Sequence, residues 1–269
     1  LEIGKIIKIK FPKTLFVFDM HDLQHTWILM NKSSTIRKIA AKWMKTNMIK
    51  VAKKCDLVIT SSNGLKKWLL INGIESQVIE NRPMKSKIIP NHPNKFTIGY
   101  LGRIREIEPF EQLISAIETL ESKFRPNVVL AGDGVQAKEV DTLFKKKEAQ
   151  LGITYYYHGP FQRNELPELM AQISVMFAMY SPNRENIANG ALPTKMFDAA
   201  AFGRASIVNK NTPMAEVCLT ESLGHTCEWN DIPHLANILR EQHLPEIYLK
   251  KDAENERKRY LELLTQLKG

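Results

Sequence analysis

Cysteine is scarce in this 269-residue chain, and the three present, Cys55, Cys218 and Cys227, have neither an even number nor CxxC spacing. A disulfide framework or a zinc knuckle is therefore excluded as the organising principle, and a reducing compartment fits best. No apolar run approaches the roughly 20 residues of a membrane span, and no signal peptide is visible. A DxD motif is absent, so there is no obvious Mg²⁺ site of the kind that holds a diphosphate. Acidic residues are missing from Leu23 to Cys55, while Lys32, Arg37, Lys38, Lys42, Lys45, Lys50, Lys53 and Lys54 all fall there. An initiating Met is also missing, and LEIGKIIKIKFPKTLFVFDMHD reads as the middle of a domain.

What is present suits a globular protein with substantial cores. Hydrophobic residues make up 43% of the chain and the net charge is +9, which favours an anionic partner. Short β-branched runs alternate with amphipathic stretches. TLFVF (14–18), DLVIT (56–60) and SQVIE (76–80) read as strands. Between the first two, Ile36, Ile39, Ala40, Trp43, Met48, Val51 and Ala52 recur at helical spacing. MKSKIIPNHPNK (84–95) has two prolines and no period, and reads as a linker. The pattern then restarts with FTIGYL, NVVLAGDG, ITYYYHG, SVMFAM and ASIVN, separated by helical segments.

Strand–helix alternation with short connections predicts an α/β fold with right-handed crossovers and parallel, doubly wound sheets. Two such segments around the linker make two Rossmann-like domains, the N-terminal one with too few strands to be whole. The expected boundaries are 1–88, 89–247, and a C-terminal helix in 248–269. In such sheets ligands bind beyond the carboxyl ends of the strands. That rule selects Asp19–His21, Gly102–Arg103, Gly132–Gly134, Gly159–Phe161 and Tyr180–Leu192.

Within these, Arg103 is a natural phosphate clamp because its planar fork donates two parallel hydrogen bonds. The bland alternative is a surface Arg paired with Glu106 or Glu108. In NGALPTKMFDAAAFGRASIVN (189–209), Lys195 falls in the first turn of a helix that Gly203 stops. It either pairs with Asp198 at i,i+3 or, with the free N–H groups of the helix start, cradles an anion. His21 is either structural or functional, and Phe161 either stacks on a base or belongs to a core.

GYLGRI, VVLAGDG, YYYHGPFQRNELPELMAQISVMFAMYSP and LPTKMFDAAAFGRASIV, in that order, resemble the C-terminal domain of GT-B glycosyltransferases, family 4 in particular. CDLVITSSNGLKKWLLINGIESQVIENRP resembles the end of that family's N-terminal domain. The resemblance implies transfer of a sugar from a nucleotide diphosphate sugar, with UDP or GDP as the nucleotide and no separate cofactor. It implies that Arg103 and Lys195 bind the diphosphate, Asp198 the ribose hydroxyls, and Gly102, Gly159 and Phe161 the nucleotide, with Asn189, Asn186 or Glu185 for the donor sugar, or none of them, and His21 as the catalytic candidate. Two departures stand out: Glu108 replaces the companion Lys of the clamp, and Gly190 replaces the first Glu of a Glu-x7-Glu pair. They leave open a non-catalytic partner subunit; a sugar-nucleotide epimerase of the same fold is a third reading.

The implied acceptor is a glycan or a lipid-linked molecule in cell-surface polysaccharide synthesis, with the enzyme cytoplasmic or peripheral at an inner membrane face. The basic helix at 34–54 then reads either as an ordinary solvated face or as a contact with an anionic membrane surface. No nucleic-acid motif accompanies the charge, so nucleic acid is not expected as a partner.

Overall fold

The computed structural model describes residues 6–7, 9–29 and 34–267. Of the start of the chain, which reads as mid-domain, residues 1–5 and 8 lie outside them. The residues form two compact units, one of 1–81, 183–192 and 253–269, the other of 82–182 and 193–252.

In the first unit, β1 (Val17–Met20), β2 (Leu57–Thr60) and β3 (Gln77–Val78) form a parallel sheet in that order. The crossover from β1 to β2 runs through α1 (Gln24–Trp27) and α2 (Thr35–Ala52), and that from β2 to β3 through α3 (Asn63–Ile71). Both longer helices begin as capping rules require: the hydroxyls of Ser34 and Ser62 accept from the N–H groups of Arg37 and Leu65. Met20, Leu23, Met48, Val58, Leu65 and Trp68 form the core. The apolar residues that recur at helical spacing in α2 do not share one buried face. Met48, Val51 and Ala52 are buried, but Ile36, Ile39 and Trp43 face solvent.

The second unit begins with Arg82, whose guanidinium is fully buried. It donates to both carboxylate oxygens of Glu221 at 2.7 and 2.6 Å and lies 3.8 Å over the Phe197 ring. Next come β4 (Thr97–Leu101), α4 (Glu108–Glu118), β5 (Asn127–Ala131), α5 (Ala137–Leu151), β6 (Tyr155–Gly159), α6 (Leu166–Ala171) and β7 (Val175–Ala178). The short helix α7 (Glu185–Ala188) falls in the segment that belongs to the first unit. The chain then supplies α8 (Thr194–Ala201), β8 (Ala205–Asn209), α9 (Pro213–Glu221), β9 (Gly224–Cys227) and α10 (Ile232–Glu241), and ends in α11 (Ala253–Gln266) of the first unit.

All six strands of the second sheet are parallel, in the order β6-β5-β4-β7-β8-β9. The order reverses between β4 and β7, and a reversal of this kind opens a crevice beyond the strand ends. Every residue of β4, β7 and β8 is buried, as helices on both faces require. The linker contains no helix or strand between residues 84 and 95 and is fastened by Arg204. That fully buried side chain donates from Nη2 to the carbonyls of Pro90 and Asn91 at 2.9 and 2.8 Å, and from Nε to Met170 O at 3.0 Å. The thiols of Cys218 and Cys227 are buried, while Cys55 is partly exposed.

Candidate functional site

The crevice of the second unit is built by three chain segments: the tip of β4, the turn after β6, and the start of α8. Beyond β4 the chain turns at Gly102, whose φ of +133° favours glycine. A Cβ on the neighbouring Gly132 would overlap the Gly102 carbonyl, so the tips of β4 and β5 meet backbone to backbone. Lys195 lies across Gly102. Its Cε and Nζ come within 3.5 and 3.6 Å of where a Gly102 Cβ would stand.

The Lys195 ammonium is 3.1 Å from the centroid of Tyr100 and 5.5 Å from that of Tyr180. Tyr100 also donates its hydroxyl hydrogen to the carbonyl of Arg103 at 2.9 Å. One tyrosine thus holds the Lys195 ammonium and the backbone of Arg103. Tyr180 is held in turn by Asn209, whose side chain accepts from its N–H at 2.7 Å and donates to its C=O at 3.0 Å. Tyr180 opens one of the strand-end stretches selected from the sequence, whereas Tyr100 lies inside its strand and was missed; the signal available was an aromatic next to the strand end in GYLGR.

Arg103 is exposed and pairs with Asp133 at 3.1 Å. This corrects the bland alternative of a Glu106 or Glu108 partner. Asp133 sits at the tip of β5, the strand hydrogen-bonded to β4, while Glu106 accepts from Ser181 N at 3.3 Å. Glu108 opens α4, where a carboxylate suits the helix dipole. An exposed pair such as Arg103–Asp133 contributes only about 0–1 kcal/mol, so Arg103 can exchange partners at little cost.

Lys195, Asp198 and Phe161 line one cavity of about 150 Å³ together with Leu101, Arg163, Leu166, Met170 and Met176. Complete small-molecule sites are larger, about 300–1,000 Å³, so this cavity accommodates part of a ligand, of the size of a pentose. Asp198 is mostly buried, and burial raises its pKa above the usual carboxylate range; Arg163 at 3.7 Å works in the opposite direction. A carboxylate kept short of partners in this way gains from meeting hydroxyl donors. Pro193 precedes α8 and provides no side-chain cap for its first N–H groups. Gly159 ends β6 with a φ of +80° and passes the chain through Pro160 to Phe161.

His21 and Asn189 belong to the other unit. His21 Nε2 lies 2.9 Å from Asp19 Oδ2, and this hydrogen bond raises the imidazole pKa, helped by the charges of Asp19 and Asp22 against partial burial. Asn189 follows α7 and donates to Glu185 O at 2.7 Å, as a helix-end side chain does. Its neighbour Asn186 is buried, accepting from Leu23 N at 3.0 Å and donating to Asp22. Gly190 has a φ of +111°, a Cβ there would overlap the Gly64 backbone, and its carbonyl accepts from Ser62 Oγ at 2.6 Å.

A larger cavity, about 470 Å³, lies in the first unit against residues 52–58 and 73–77. Those residues precede β2 and β3, so the cavity is at the amino ends of the strands, away from where open α/β sheets bind ligands.

The model of the family described as glycosyl transferases group 1 matches residues 95–242, more than half of the chain and the whole of the second sheet. The chain belongs to this family. Solved structures agree on the fold. Alr3699/HepE of Anabaena, crystallised with UDP and glucose, is 16% identical with a TM-score of 0.71, over 98% of this chain and 74% of its own. Sucrose-phosphate synthase of Thermosynechococcus elongatus is 14% identical with a TM-score of 0.68, over 99% and 71%. The lipopolysaccharide outer core galactosyltransferase WaaB, in its apo form, is 12% identical with a TM-score of 0.59, over 98% and 78%. No curated protein matches in sequence. The architecture is therefore the α/β GT-B fold of glycosyltransferases, as the order of the motifs led one to expect.

Proposed function

We propose that this glycosyltransferase takes its sugar from a UDP- or GDP-linked donor bound in the crevice of the second unit, and passes it to a glycan or lipid-linked acceptor at the inner face of a membrane. The observation that carries the reading is Lys195, laid over Gly102 and the Tyr100 ring and sharing one cavity with Asp198 and Phe161. Arg103 and Lys195 take the diphosphate, Asp198 accepts from the ribose hydroxyls, Gly102 and Gly159 let backbone approach, and Phe161 borders the base. Alr3699/HepE has been crystallised with UDP, with UDP and glucose, and with UDP-glucose, which supports a nucleotide sugar as the ligand class here.

As the bond between the sugar carbon and the phosphate oxygen breaks, negative charge grows on the departing diphosphate. In this reading Lys195, the N-terminus of α8 and an Arg103 released from Asp133 stabilise it, the kind of electrostatic support that lowers such a barrier. Among the described residues no group of three or more His, Cys, Asp or Glu could hold a metal ion. In this reading the leaving group is held by these cations. His21 and Asn189 belong to the first unit and stay candidates for the donor sugar on the family resemblance alone.

Calorimetry with UDP and with GDP tests this. One of them should bind, and Arg103→Ala and Lys195→Ala should each weaken that binding. Silence with both nucleotides, or two variants that bind like the parent, would remove the site. A second reading, a non-catalytic partner subunit, is favoured by Gly190, whose backbone leaves no room for the family's Glu. Transfer from any nucleotide sugar by the chain would eliminate it.

A further inference from the structure

Helix α2 carries two apolar stripes on opposite faces. Ala41, Met48, Val51 and Ala52 form the inner one and are buried. Ile36, Ile39 and Trp43 form the outer one and are 78%, 65% and 66% exposed. At i, i+3 and i+7 they fall within about 60° of one another around a helix of 3.6 residues per turn. A lone exposed apolar residue needs no explanation. Three in register on a surface helix do, because the outward face of such a helix is ordinarily polar.

The charge around the strip indicates what covers it. Lys42 borders the strip and Lys50 continues its line towards the carboxyl end, both exposed, while Arg37 and Lys38 stand exposed further round the first turn. No acidic residue occurs anywhere from Leu23 to Cys55 to neutralise them. A second copy of the chain is a poor occupant, since a two-fold contact would set these cations against their own equivalents. An anionic bilayer satisfies both parts of the surface: the interface accepts Ile and Trp side chains to a shallow depth, and Lys and Arg stems reach back to the headgroups.

We propose that this face of α2 docks the chain on an anionic membrane, with Ile36, Ile39 and Trp43 entering the boundary between headgroups and acyl chains. The face deepens the reading of a membrane-side acceptor, but it is tested without nucleotide, so its failure would leave the donor site untouched.

The test is sedimentation of the full chain with phosphatidylcholine vesicles, with and without phosphatidylglycerol. Binding should require the anionic lipid and fade with added salt. Ile36→Ser, Ile39→Ser and Trp43→Ser combined should weaken it by about tenfold or more, with an unchanged melting temperature, since the three side chains leave no core. Lys42→Glu with Lys50→Glu should weaken it comparably. Acyl chains brominated near the headgroup should quench tryptophan fluorescence, and Trp43→Phe should abolish most of that quenching. The proposal is overturned if anionic vesicles are not bound, or if the triple Ser variant binds them as the parent does. A parent dimer in sedimentation velocity that the triple variant dissolves, without vesicle binding, would assign the strip to a second copy instead.

Discussion

Lys195 stands in the first turn of α8, where the helix dipole works against an ammonium by about 0.3–1 kcal/mol. The Tyr100 ring beneath it contributes about 0.5–2 kcal/mol in the other direction, so the cation is in place before a phosphate arrives. Removing it with Lys195→Ala should weaken nucleotide binding about 10- to 100-fold, the scale of a charged hydrogen bond. Tyr100→Phe, which keeps the ring, should bind better than Tyr100→Leu, and calorimetry resolves the difference. Asp198 carries a pH signature. Its folded pKa is raised, so the folded state holds the proton longer, and stability falls as pH climbs from about 4 through the raised value. Asp198→Asn should flatten that fall in melting temperature while weakening nucleotide binding. His21 behaves oppositely: its raised pKa contributes stability that is whole below about pH 6.5 and is lost as pH rises through the folded value. Its imidazole resonances should titrate above the usual His range, and Asp19→Asn should bring them down.

At the scale of elements, Gly190 explains why a missing carboxylate cannot simply be restored. Putting Glu there forces a side chain into a positive-φ position already filled by the Gly64 backbone, and should cost at least about 2 kcal/mol. A chemical melt of Gly190→Glu should show that loss without added activity. Alternation and β-branching made the strands legible: ASIVN is β8 to the residue, and DLVIT and SVMFAM differ from β2 and β7 only at their ends. Short or polar elements such as β9 (GHTC) and α7 carried no periodic signal and emerge only from tertiary pairing. Which residues of α2 meet the core was not legible, since apolar residues at helical spacing show a helix but not which of them the fold covers. In the crevice, Lys195 was legible because an ammonium is odd for a first helical turn, and Asp198 because it stands where the family resemblance expects a carboxylate. Tyr100 and Arg163 were not, because an aromatic in a strand and an Arg in a loop are ordinary until their neighbours are known.

Across the whole molecule, the division into units does not follow the chain. Residues 183–192 leave the second unit and return to it, and Ile187 and Ala191 are buried in the first. No single cut therefore separates the two. A fragment of residues 82–252 should keep its sheet, but those two side chains would have no core to enter. It should melt lower and aggregate sooner than the full chain in light-scattering scans. The cysteines add a practical consequence of the same packing. Burial pushes the thiol of Cys218 up to about 12 and that of Cys227 up to about 11, so neither yields appreciable thiolate at neutral pH. Cys55, partly exposed beside the larger cavity of the first unit, is left as the one address for a maleimide dye. The native chain can thus carry a single reporter without any engineered residue.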